Sequence, residues 1–147
     1  MTILSSIPVQ KRAVTDSGHH FDASRHWAAS LTLGFCARAH GDLIVTRMHQ
    51  AQHYGPLRVQ RPFYPEGRDG CCHVYILHPP GGLVSGDALN IAISVEPNAH
   101  SLITTPSANK LYKADSNGVA WIQHTNLDVA DGATLEWLPQ ESLAFDG

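Results

Sequence analysis

The chain lacks most of what would place it in a familiar functional class. Its three cysteines, Cys36, Cys71 and Cys72, are an odd number with two adjacent. That excludes a disulfide framework and sets the expectation of a soluble protein of the reducing cytoplasm. No apolar run approaches the roughly 20 residues that span a bilayer, so no membrane partner is expected. Met1 to Gln10 carries neither a charged n-region nor an apolar stretch adequate for a secretory signal. Positive charge is scarce: ten Lys and Arg stand against thirteen Asp and Glu, for a net charge of −3. Those bases are scattered, so no stripe exists to displace counterions, and nucleic acid is excluded as a partner. Helical periodicity is missing too, since no window of helical length holds apolar residues at i, i+3, i+4 and i+7.

What is present is alternation. Leu31, Leu33 and Phe35 begin a series that runs through Leu43 and Val45, Leu57 and Val59, and Ile91, Ile93 and Val95. It ends in Val119 and Trp121, Leu127 and Val129, and Leu135 and Trp137. Period-2 segments at this spacing, with Gly, Pro, Asn or Asp between them, predict an all-β sandwich, barrel or coil. One short helix is predicted near 106–112, where Thr105 can cap and Pro106 suits the first helical position. Residues 1–24 read as a polar leader and 25–147 as one β domain. Within that domain Ile93–Ala99 and Leu127–Ala133 superpose, placing Asn98 and Gly132 at one turn position where positive φ is often required. Repeats of this kind point to stacked β units around one core, against the alternative that any two hairpins look alike.

The densest signal is the loop from His78 to Asp87, HPPGGLVSGD, which directly follows the apolar strand Val74–Leu77. Gly81 and Gly86 have P-loop spacing, but Asp87 stands where a P-loop needs Lys, and a carboxylate there repels phosphate. Other catalytic patterns dissolve similarly. Ser107 and Lys110 fit S-x-x-K, yet the S-D-N and K-T-G partners of that chemistry are absent. Ser85 lacks the preceding Gly of a nucleophile elbow. Cys72 and His73 are adjacent on a strand, where side chains face opposite ways. Nothing assembles an active site, and the expectation is a protein that is not an enzyme.

Ten histidines match the ten Lys and Arg in number. His19 and His20 sit in the leader, and the rest are spread singly without structural-zinc spacing. Cys72, His73, His78 and Asp87 nevertheless fall within one strand and its loop, and imidazole and thiolate suit Ni²⁺ and Zn²⁺. With Glu66, Glu136 and Glu141 they form a candidate path of weak, replaceable ligands, against the alternative that each is an ordinary loop or surface group. Arg61, Phe63 and Tyr64, stiffened by Pro62 and Pro65, have the composition of an interface segment, or equally of a loop covering a sheet edge.

Four stretches besides the glycine-rich loop carry a resemblance: Gly55–Glu66, Cys72–Tyr75, Ile103–Tyr112 and Leu135–Glu141. In this order and spacing they are similar to the urease accessory protein UreD family, called UreH in some bacteria. The match runs from about Trp27 to Gly147. Ser85 departs from the family's usual Gly, and family members run to nearly twice this length, so the resemblance implies that 25–147 is the amino-terminal part of a UreD-like β domain, truncated relative to the family. The resemblance implies a two-layer, β-helix-like stack with a minor helical part. It also implies a maturation scaffold that binds the urease apoprotein, a helical adaptor (UreF-type) and through it a GTPase (UreG-type). Nickel would then pass in transit with no cofactor held tightly, and Lys110 and Tyr112 join Arg61, Phe63 and Tyr64 as contact candidates. Two other readings are a free-standing nickel-binding protein and a cryptic serine hydrolase using Ser107 and Lys110. Tight stoichiometric nickel binding would mark the first, and activity lost on Ser107→Ala the second.

Overall fold

The computed structural model describes residues 27–114 and 118–145; the leader expected at 1–24 lies outside them. Eleven strands make up the described chain: β1 (Trp27–His40), β2 (Leu43–Tyr54), β3 (Arg58–Val59), β4 (Cys72–Leu77), β5 (Gly82–Leu83), β6 (Asp87–Val95), β7 (His100–Thr104), β8 (Asn109–Leu111), β9 (Ile122–Val129), β10 (Thr134–Leu138) and β11 (Ser142–Ala144). No helix occurs among the described residues. The all-β expectation holds, and the arrangement is the stacked one.

Three sheets form, in the orders β2-β1-β6-β9, β10-β7-β4-β3 and β11-β8-β5. The chain visits them in rotation, so β6, β7 and β8 make one turn and β9, β10 and β11 the next. β1, β4 and β5 occupy the corresponding places in the layer on the other side. Pairing between layers is parallel throughout. On the far side of the first layer, β2 pairs antiparallel with β1 and β3 with β4. The repeat read from the sequence is this stacking. Ile93 pairs with Leu127 and Val95 with Val129, while His100 pairs with Thr134 in the neighbouring sheet. The turn residues agree: Asn98 has φ 64° and Gly132 φ 70°, and a Cβ on Gly132 would sit 3.0 Å from Asn98 Oδ1.

Alternation puts one side of β1, β4, β6 and β7 into a shared core. Leu31, Leu33 and Phe35 on β1 lie in register with Ile91, Ile93 and Val95 on β6. All are buried, together with Val74 and Ile76 of β4, Leu83 of β5 and Ile103 of β7. Each such side chain contributes about 1.5–3 kcal/mol when withdrawn from water. The ladder weakens in the third layer. Leu127 and Val129 remain 39% and 43% exposed, and every residue of β9 is exposed.

The helix expected at 106–112 is absent. Pro106 and Ser107 form a bend, and Asn109–Leu111 is strand β8. Local preference loses to pairing from both sides. Lys110 N–H donates to Gly81 O, Tyr112 N–H to Leu83 O and Asn109 N–H to Glu141 O. A helical turn would leave those partners, in β5 and just before β5 and β11, unmatched. Thr105 does not cap a helix; its hydroxyl donates to Ser107 O and accepts from Gln140 N–H across to the next turn.

Candidate functional site

The glycine-rich loop connects three strands within ten residues, and its geometry follows from that task. Gly81 N–H returns to His78 O at 2.8 Å, closing the first turn. Asp87 Oδ2 accepts from Val84 N–H at 2.8 Å, while Asp87 N–H donates to Val84 O at 3.0 Å, closing the second. Asp87 is 9% exposed, so this carboxylate pins its own loop from inside. Gly82 is required by proximity: a Cβ there would lie 2.6 Å from Lys110 O and 2.9 Å from a Tyr112 ring carbon. Gly86 adopts φ 85°, a left-handed conformation that side chains resist.

His78 lies at the start of this loop against Trp27, with ring centroids 6.0 Å apart. Its Nε2 is buried and has no hydrogen-bond partner among the described residues. Burial pushes the imidazole pKa below its ordinary value, and the nearby Asp87 charge opposes this only partly. The ring lines a cavity of about 280 Å³ in the hollow of the stack, bounded also by Leu89, Ile91, Gln123, Thr125 and Trp137. The cavity forms because the ladder changes character: Leu89 pairs with Gln123 and Ile91 with Thr125, so polar side chains succeed apolar ones.

The remaining candidates do not converge on one centre. Cys72 is fully buried on the inner side of β4, and burial raises its thiol pKa, which Tyr64 and Arg47 lower only in part. Tyr64 donates its hydroxyl to Thr46 O at 2.6 Å, and desolvation followed by the Cys72 contact lifts its pKa to about 12. His73 faces the other way and meets both oxygens of Glu66 at 3.0 Å. Glu141 is exposed, and its carbonyl serves β8. Among the described residues no hydrogen bond joins Ser107 to Lys110.

Glu136 is different. Its Oε1 lies 2.7 Å from His100 Nε2, and Cys71 Sγ is close enough that all three ligand atoms fall within 4.8 Å of one another. Cys71 is 8% exposed, and its pKa is pushed up to about 12, first by burial and then by the charges of Glu136 and Glu66. Sequence reasoning passes over Cys71 and His100 because 29 and 36 residues separate the ligands. The readable signal is the repeat: with His100 opposite Thr134, Glu136 is the next residue on that side of β10. A second trio, Cys36, His49 and Glu96, gathers at the β1–β2 side, with His49 and Glu96 exposed and 3.3 Å apart.

The proposed contact segment lies along β4. Gln60 N–H donates to Tyr75 O, and Phe63 exchanges both backbone hydrogen bonds with His73. The Phe63 ring stacks on Tyr75 at 5.6 Å with an interplanar angle of 11°. It therefore covers the strand edge while leaving Arg61 exposed and Phe63 39% exposed. Tyr112 stacks on Phe145 at 5.1 Å, and Lys110 is exposed beside it.

Comparison with known proteins adds the remaining observation. A family model described as UreD urease accessory protein matches residues 28–147. The whole chain is 78% identical to a urease accessory protein UreD of Pseudoalteromonas translucida, covering 49% of that relative. It is 71% identical to urease accessory protein UreD 1 of Psychrobacter cryohalolentis, again over all of this chain and 49% of the relative. Similarity extends to the Hahella chejuensis protein of the same name, 51% identical over 84% of this chain and 38% of the relative. The chain thus spans about half the length of the curated relatives it matches.

Proposed function

Because the chain belongs to the UreD urease accessory protein family, we propose that it acts in urease maturation as a scaffold for nickel insertion. In this reading it binds the urease apoprotein and recruits a helical UreF-type adaptor, through which a UreG-type GTPase joins. It performs no turnover of its own, holds no cofactor tightly and handles nickel in transit. The observation that carries the reading is identity of 78% over the 147 residues of the chain to a protein named urease accessory protein UreD. The pinned, edge-covering surfaces suit a scaffold, since rigid segments lose little entropy on docking. Among the described residues no helix is long and apolar enough to cross a membrane, and the proposed setting is the cytoplasm. The test is nickel content of urease expressed with the other accessory proteins, with and without this gene. Nickel-poor urease without it is expected; equal nickel content in both would overturn the reading.

A further inference from the structure

We propose that Cys71, His100 and Glu136 form a binding site for a divalent transition metal of the Zn²⁺ or Ni²⁺ kind, on the side of the β10-β7-β4 sheet turned away from the core. The inference stands on geometry and does not depend on the maturation role. Three elements deliver one ligand each. Cys71 immediately precedes β4, His100 opens β7, and Glu136 lies at the centre of β10. Since β4 pairs with β7 and β7 with β10, the ligands are held by hydrogen-bonded neighbours.

The spacing fits an ion of this size. Ligands about 2.0–2.3 Å from a tetrahedral metal stand about 3.3–3.6 Å from one another. The His100–Glu136 contact of 2.7 Å would open slightly, and the longest separation, no more than 4.8 Å, would close by side-chain rotation. A thiolate, an imidazole and a carboxylate favour Zn²⁺, Ni²⁺ or Co²⁺ over Mg²⁺ and Ca²⁺, which take oxygen alone. Three protein ligands leave one position open, the arrangement of exchangeable rather than closed structural sites. His100 and Glu136 side chains are 43% and 42% exposed, so an ion can reach them while Cys71 stays sheltered.

The surroundings favour a cation. Glu136 and Glu66 both place negative charge near the Cys71 sulfur. Glu66 is in turn held by His73 Nε2, the kind of outer contact that fixes a carboxylate beside a metal. Binding displaces the thiol proton, and the resulting thiolate is stabilised by the ion it holds. The trio of Cys36, His49 and Glu96 has the same residue types but only Cys36 is sheltered, with its other two members exposed. It serves as the internal control.

The experiment titrates the full reduced protein with Ni²⁺ and, separately, Co²⁺, following thiolate-to-metal charge-transfer absorption. A saturable band is expected in the parent protein and in Cys36→Ser. Loss of the band is expected in Cys71→Ser, and affinity at least about tenfold weaker in His100→Ala and Glu136→Gln. Glu136→Gln preserves shape at a half-exposed position, so its effect is not a folding defect, and an unchanged strand signal in circular dichroism checks this. No band in the parent, a band surviving Cys71→Ser, or undiminished affinity in Glu136→Gln would each overturn the site.

Discussion

At the scale of single residues, two glycines in one loop are needed for different reasons, and mutation separates them. Gly81 has φ 75° with open space where a Cβ would go, so Gly81→Ala is expected to cost about 1 kcal/mol from backbone conformation alone. Gly82 faces the Lys110 carbonyl at 2.6 Å, and Gly82→Ala must push β5 from β8, for about 1–3 kcal/mol. Denaturant midpoints should therefore rank Gly82→Ala below Gly81→Ala, and the reverse order would refute the close approach. His78 gives a pH dependence. Burial lowers its pKa in the folded protein, so the unfolded chain takes up the proton more readily. Stability is then intact above the ordinary value of 6.5 and declines as pH falls below it toward the folded value. His78→Gln should flatten that decline in urea midpoints taken across the acid range. An unchanged profile would mean His78 charges freely in place.

Elements were legible in the sequence to the extent that alternation governed them. Leu31, Leu33 and Phe35, and Ile91, Ile93 and Val95, announce β1 and β6 because every second residue is apolar and buried against the core, even though Gly34 and Cys36 on the other side of β1 are buried as well. The repeat was legible for a stronger reason. Parallel neighbours in register put similar residues at a fixed offset, and Ile93 does pair with Leu127. β8 was not legible. It is three residues long, and its strand state depends on hydrogen bonds from β5 and β11, which its own sequence does not encode. The scattered site residues follow the same division. Pattern placed Cys72 and His73 on opposite sides of β4, as their burial shows. The meeting of Cys71, His100 and Glu136 depends on three strands finding register, and no local window contains it.

At the scale of the whole molecule the stack is asymmetric. One side carries the antiparallel strands β2 and β3, while β9, β10 and β11 are edge strands in all three sheets. Ile122, Leu138, Leu143 and Phe145 are 55%, 54%, 44% and 50% exposed there. Open edges beside apolar side chains recruit other strands. The 147-residue chain is therefore expected to associate as its concentration rises, and to be relieved by co-expression with the segment that follows in its longer relatives. Sedimentation showing a monomer with one cooperative unfolding transition across that range would show that the domain closes on itself. The register carries a further consequence, for how such a protein can change length over time. Ile93 stands opposite Leu127 and His100 opposite Thr134, so one full circuit is 34 residues at both places. Duplication of a whole circuit adds a storey and leaves every inward side chain inward. A single residue added within β6 turns the rest of that strand inside out. Tolerated length variation should come in whole circuits or in the corners between strands, and a library of insertions scored for soluble expression would read that periodicity directly.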